Sequence, residues 1–402
     1  MIKRTLQELC LNITDGKHGD CENEENSGYY FISCKDIFDG QINYKNARQI
    51  TKADFEETHK RTMLEVDDIL LTNSGTIGRM AFVTDREATT KTTFQKSVAI
   101  IKPDKQKVLP RYLYYQLQNC VPQFITSSNG SAQKNLLLST MRTFQIEIEE
   151  NREKQEKIAN TLSAYDDLIE NNQKQIRLLE EAAQRLYKEW FVDLRFPGHE
   201  NTKIVDGVPE GWNWCKLEDA IQFDPKVTLT KERMKQFVPM SALSTSSMVL
   251  DESQFTETTS NSGSKFQNGD TLLARITPCL ENRKTAYVSG LKSNEGAVGS
   301  TEYIVMRAKT INAYMVYLLA RTDDFRQSAI NSMSGSDGRQ RVKSDKLKML
   351  DYLQPTSELV KEFGKIAGPT FEKIYKLSKQ MQQARQARDL LLPKLMSGEV
   401  EV

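Results

Sequence analysis

The strongest constraint in this sequence is that one unit is written twice, with a period of about 200 residues in a chain of 402. A repeat of that length sets the architecture before any single residue is interpreted, because each copy must supply its own core and its own share of any function. Asp68-Ile69-Leu70-Leu71, running on to Arg79-Met80-Ala81-Phe82-Val83, answers Asp270-Thr271-Leu272-Leu273, running on to Thr285-Ala286-Tyr287-Val288. Both read as a turn, a strand, a polar loop and a second strand. Tyr112-Leu113-Tyr114-Tyr115 matches Tyr314-Met315-Val316-Tyr317 in helical pattern, and the polar run from Asn129 to Asn135 matches that from Ser334 to Arg341. Independently, the chain exceeds the roughly 250–300 residues at which one core stops growing.

Each copy ends in a long helical stretch. In the first, apolar spacing alternates four and three through Ile158, Leu162, Tyr165, Ile169, Asn172, Ile176, Leu179, Ala183, Leu186 and Trp190, a heptad seam with one polar member. The second runs Leu359, Phe363, Ile366, Thr370, Ile374, Leu377, Met381, Ala384, Arg388, Leu391 and Leu395. One extra residue enters it near Gly368-Pro369, where a stutter or kink is expected. The net charge is −1 over 152–189 and +5 over 361–394, and opposite signs favour pairing within the chain. The alternative is that each helix packs only on its own domain. Asn172 either fixes the register of the pair or lies where the seam is open to solvent.

The predicted fold class is therefore α+β: two homologous mixed α/β domains and two long helices forming an intramolecular antiparallel coiled coil with pseudo-twofold symmetry. The expected bounds are a first domain at 1–150, a helix at 151–195 and a linker at 196–211 marked by Pro197-Gly198 and Pro209-Glu210-Gly211. A second domain follows at 212–356, then the second helix and a tail at 357–402.

Charge and motifs narrow the function. Lys and Arg number 55 against 54 Asp and Glu, a net of +1, which excludes a strongly basic, self-sufficient nucleic-acid binder. The start MIKRTLQELC is no secretory signal and no run of about 18 apolar residues occurs, so a soluble, cytoplasmic protein is expected. Six scattered cysteines read as buried small hydrophobes, and three distant histidines (His18, His59, His199) support neither a metal site nor a triad. Phosphate-binding glycine motifs are missing, as is the Asn-Pro-Pro-aromatic or Asp-Pro-Pro-aromatic tetrapeptide of amino-methyltransferases. The chain reads as non-catalytic, with no cofactor or metal of its own.

Two like heads on a helical spacer suggest a ruler. The 33 residues from Ile158 to Trp190 span ~50 Å, or about 14 base pairs of B-DNA. Two heads so spaced could read two short elements on one duplex with an unread gap between them. Candidate DNA contacts lie in polar loops at matching points of both copies. In the first they are Lys17 and His18, then Thr72, Asn73, Ser74, Thr76 and Arg79, then Asn129, Gln133, Lys134 and Asn135. In the second they are Arg275, Thr277, Glu281, Asn282, Arg283 and Lys284, then Ser336, Arg339, Gln340, Arg341 and Lys343. Small residues let backbone approach phosphates, and Arg, Asn and Gln can reach base edges. Taken singly, each loop reads more readily as a solvated turn, whereas recurrence at matching points of both copies favours a shared binding face.

These residues resemble the specificity subunits of type I restriction-modification systems over essentially the whole chain. The resemblance rests on Ile13-Thr14-Asp15-Gly16-Lys17-His18-Gly19, Asp68-Ile69-Leu70-Leu71-Thr72-Asn73-Ser74-Gly75-Thr76-Ile77-Gly78 and Gly269-Asp270-Thr271-Leu272-Leu273-Ala274-Arg275. It extends to Glu156-Lys157-Ile158-Ala159, Gly364-Lys365-Ile366-Ala367 and the ending Leu391-Leu392-Pro393-Lys394-Leu395. Arg283 departs from it, standing where related sequences often carry Gly. The resemblance implies two target-recognition domains, each reading half of a split, asymmetric site in double-stranded DNA. It further implies docking of two adenine methyltransferase subunits that bring S-adenosylmethionine, and of restriction subunits that use ATP and Mg. The competing readings are a coiled-coil structural adaptor that reads no DNA, and an autonomous DNA-modifying enzyme, which the missing motifs disfavour.

Overall fold

The computed structural model describes residues 1–84, 86–128, 134–293, 295–336 and 338–401. They fall into two compact units, Met1–Asp167 with Ala384–Val402, and Leu168–Gln383, so each unit takes part of both long helices.

The first unit is built on a four-stranded antiparallel sheet in the order Cys10–Asp15, Val98–Pro103, Ile69–Thr72, Met80–Phe82. Its inner strands are apolar without alternation because both faces are covered, and successive side chains serve opposite faces. Ile69, Leu71, Ala99 and Ile101 join Tyr112 of the helix Pro110–Asn119 and Ile158, Leu162 and Leu395 of the long helices. Leu70, Val98 and Ile100 face the other way, onto Ile32 and Phe94. Those two belong to a smaller sheet in which Tyr30–Ile32 runs parallel to Thr92–Phe94 and antiparallel to Arg48–Gln49. A ladder of Ile2–Thr5 with Gln145–Ile148 closes the unit.

The second unit repeats this plan. Its main sheet has the order Ile221–Phe223, Tyr303–Ala308, Thr271–Ala274, Thr285–Tyr287. Leu273, Ile304 and Met306 face the helices, while Leu272 and Val305 face Val238 and Phe266 of the smaller sheet. There Lys235–Val238 again runs parallel to Ala297–Gly299, and Asn213–Lys216 pairs with Asp351–Gln354 as the closing ladder. The copies part just before the turns at Asp68 and Asp270. The first places a helix there, Lys52–Thr62, capped by Thr51, whose hydroxyl accepts from the Asp54 N–H. The second places the strand Ser264–Phe266, paired with Ala297–Gly299.

The long helices, Arg152–Phe191 and Ser357–Ser397, are unbroken. Within the second unit they run antiparallel: Asn172 donates to Gln380 at 3.1 Å, and farther along Tyr187 and Trp190 pack edge-on against Phe363. Within the first unit Arg388 meets Asp166 at 2.7 Å. Asn172 is 1% exposed, so the seam is closed there. Ile158, Leu162, Ile169, Ile176 and Ile374 are buried, and Leu179, Leu186, Leu377 and Leu391 are partly covered.

Ile366 requires a correction: it is 47% exposed, and Ala367 and Phe371 point inward instead. From Phe363 the buried face advances by two successive steps of four, because a helix of 3.6 residues per turn drifts off a strict heptad and the extra residue resets it. The helix runs through Gly368-Pro369 without interruption, the exposed Pro369 forgoing one backbone bond. Gly364 and Gly368 permit close approach, since a Cβ at either would stand 3.3 Å from Asn312 Nδ2 or the Tyr314 hydroxyl. The charge argument is also revised in part: Lys379 and Arg385 of the second helix reach Glu252 and Asp39 on the globular parts of their units, not the first helix. Of the cysteines, Cys10, Cys21 and Cys120 are buried, whereas Cys34, Cys215 and Cys279 are only half-buried. No described helix is long and apolar enough to cross a membrane.

Candidate functional site

In each unit, two loops predicted from sequence meet at the end of the main sheet through the same backbone bonds. In the first, the Asn73 N–H donates to Ser97 O at 3.1 Å and the Leu136 N–H to Asn73 O at 2.8 Å. In the second, the Arg275 N–H donates to Glu302 O at 3.0 Å and the Val342 N–H to Arg275 O at 2.9 Å. Single bridges, Ser74 with Asn135 and Ile276 with Arg341, complete the correspondence. The strand registers dictate it: Val98 lies opposite Thr72, and Tyr303 opposite Ala274.

The first site is polar but weakly charged. Thr72 is wholly buried, its hydroxyl donating to Thr76 O at 2.5 Å and accepting from the Arg79 N–H at 2.9 Å, so it closes the turn and offers nothing to solvent. Gly78 lets that turn pass close to the helix Val121–Thr126, since a Cβ there would stand 2.5 Å from Val121. Asn73 is 4% exposed, with Oδ1 lacking a partner among the described residues. Ser74 is half-buried, while Thr76, Arg79, Lys134 and Asn135 are exposed. Asn129 and Gln133 lie outside the described residues.

Lys17 and His18 are differently employed. Lys17 Nζ meets Asp54 at 3.0 Å and Glu57 at 3.1 Å, carboxylates that raise its pKa further and neutralise it. His18 Nε2 stands 3.0 Å from Asp15. Both candidates are thus tied to acidic neighbours around the helix Lys52–Thr62.

The second site carries more charge, and acidic partners organise it. Arg341 donates Nε and Nη2 to Glu302 at 2.8–3.0 Å, and its guanidinium holds the Glu302 carboxyl below its ordinary range. Arg283 pairs with Asp323 at 2.8 Å, and Lys284 Nζ reaches Met240 O at 2.9 Å, so neither long cation is unengaged. The Thr277 hydroxyl donates to Glu281 Oε1 at 3.0 Å, while the Thr277 N–H donates to Gln340 O at 3.1 Å. Arg275 is half-buried, its Nε without a partner among the described residues. Asn282, Ser336, Arg339 and Lys343 face solvent, with Gln340 half-covered.

Sequence reasoning missed Glu302, Asp323, Asp54 and Glu57. Only the first had a usable signal, standing one residue before a strand whose counterpart starts after Ser97. Among the described residues no group of three or more His, Cys, Asp or Glu could hold a metal ion.

Comparison with known proteins agrees with the duplicated plan. Residues 3–181 match the type I restriction modification DNA specificity domain. The chain is 27% identical over 386 residues to the type I restriction enzyme MjaIX specificity subunit of Methanocaldococcus jannaschii, covering 92% of this chain and 87% of that one. A shorter match, 34% over 140 residues, joins 34% of this chain to 24% of the EcoAI specificity subunit of Escherichia coli. In fold, the chain resembles the crystal structure of a type I restriction-modification S subunit from M. genitalium, with a TM-score of 0.60 at 16% identity over 98% of this chain and 95% of that one.

Proposed function

We propose that this chain is a type I restriction-modification specificity subunit, a reading its likenesses support, and that each of its heads reads one half of a split DNA site. The observation that carries this reading is the pair of matching loop junctions. Corresponding backbone bonds present unlike polar side chains, as expected of two readers built on one scaffold for different half-sites. In this proposal the long helices set the unread gap and help dock two adenine methyltransferase subunits. Those partners bring S-adenosylmethionine, and restriction subunits bring ATP and Mg. The chain itself is non-catalytic and works in the cytoplasm.

The near-neutral charge supports a division of labour in which the partners supply most of the phosphate clamp. Purified with its methyltransferase partner, the chain should direct methylation to a two-part motif with a fixed gap. A single unsplit motif, or methylation without sequence preference, refutes the proposal.

A further inference from the structure

The two loop junctions share two backbone hydrogen bonds and one bridge but differ in side chains. Asn135 in the first unit and Arg341 in the second occupy the same bridge position, and Ser97 and Glu302 occupy the position beside it. We propose that Arg341, oriented by Glu302, selects a guanine in the half-site of the second unit, and that Asn135 selects an adenine at the corresponding place in the other half. This rests on the reading that each head recognises half of a DNA site.

The argument begins with what holds Arg341. Its N–H and C=O both pair with Ser334, at 2.9 and 3.0 Å, and bonds from Thr277 to Gln340 O and from Val342 to Arg275 O pin the residues on either side. The side chain is equally fixed. Glu302 occupies the Nε–Nη2 edge of the guanidinium, while among the described residues Nη1 makes only a long 3.4 Å contact with Arg339 O. The outer Nη1–Nη2 fork is therefore held in a set plane, and it is the edge that matches guanine O6 and N7 in the major groove. The side chain is 42% exposed, so the fork is accessible.

The alternative partner, a phosphate, fits less well. Phosphate attraction depends on net positive charge, and a carboxylate 2.8 Å away both cancels that charge and repels a phosphate. A base edge carries no net charge, so the carboxylate penalises it less than a phosphate. In the first unit Ser97 turns elsewhere, its hydroxyl accepting from the Cys34 N–H at 3.2 Å. Asn135 stands exposed with no side-chain partner among the described residues, and its amide matches adenine N6 and N7.

The test reconstitutes the full chain with its methyltransferase partner and maps methylation for the native chain, Arg341→Lys, Glu302→Gln and Asn135→Ala. The native motif should require guanine at one position of one half. Arg341→Lys keeps the charge but loses the fork, and Glu302→Gln keeps the shape but frees the fork to swing. Each should lower the guanine preference at that one position by roughly tenfold or more and leave the other half untouched. Asn135→Ala should relax one A·T pair in the opposite half only. The unaffected half serves as the control for folding. Uniform weakening at every base, or loss of thermal stability with unchanged base preference, overturns the assignment and leaves Arg341 with Glu302 as a structural ion pair. A native chain that yields no split motif defeats the proposed function instead.

Discussion

One buried ion pair recurs in both units and shows how a single residue anchors the frame on which the sites rest. Asp68 accepts from the Glu65 N–H at 2.8 Å and from Lys102 Nζ at 2.7 Å. Asp270 does the same with the Gln267 N–H at 2.8 Å and with both Nε and Nη2 of Arg307 at 2.7 Å. From the sequence these aspartates read only as turn residues, since their partners lie more than thirty positions away and are joined by strand pairing alone. Removing one member of a buried pair leaves the other charge without compensation. Asp270→Asn should therefore lower the unfolding free energy of the second unit by about 3 kcal/mol in denaturant titrations, and a loss under about 0.5 kcal/mol would contradict the role assigned to it. Glu302 gives a pH signature. Its carboxyl is lowered by Arg341, so the stabilisation is present above the ordinary carboxylate value near 4.3 and is lost as pH falls through the depressed value. The native chain should exceed Glu302→Gln in stability by at most about 1 kcal/mol at neutral pH, and the difference should vanish under acid conditions. A difference that grows on acidification has the wrong sign for this pairing.

At the scale of elements, the seam of the first helix was legible because its period is long, regular and apolar. The second was misread for one turn, since periodicity reports an average and cannot say where an extra residue is absorbed. Gly364 and Gly368 lie close to Asn312 and Tyr314 on the face where Ala367 and Phe371 are buried, while Ile366 is exposed. Ile366→Lys should accordingly change stability by no more than about 0.5 kcal/mol, while Phe371→Ala should cost about 3–5 kcal/mol by opening a cavity among Tyr287, Tyr314 and Tyr317. Equal losses in thermal melts would restore the heptad register. Asn172 sits beside Gln380 in the closed part of the seam, where an apolar residue would pack without specifying a partner.

At the scale of the whole molecule, duplication was visible because it multiplies weak local signals. The match between Asp68-Ile69-Leu70-Leu71 and Asp270-Thr271-Leu272-Leu273 carries the main sheet in both copies. What stayed hidden is where the copies diverge, the helix Lys52–Thr62 against the strand Ser264–Phe266, because a short segment beside a sheet edge takes its form from the space left to it. Acidic residues on that helix hold Lys17, so the divergence changes the chemistry of a candidate site as well as its shape. If the long helices set the spacing of two half-sites, their length is a quantity the DNA must follow. One heptad added to each preserves the seam and lengthens the spacer by about 10.5 Å, or roughly three base pairs. Three base pairs also turn B-DNA by roughly 100°, given 10–10.5 base pairs per turn. The gap in the methylated motif should therefore grow by about three while affinity falls, because the duplex must untwist or bend to meet both readers. An unchanged gap, with both half-sites intact, would mean that something other than the helices measures the distance.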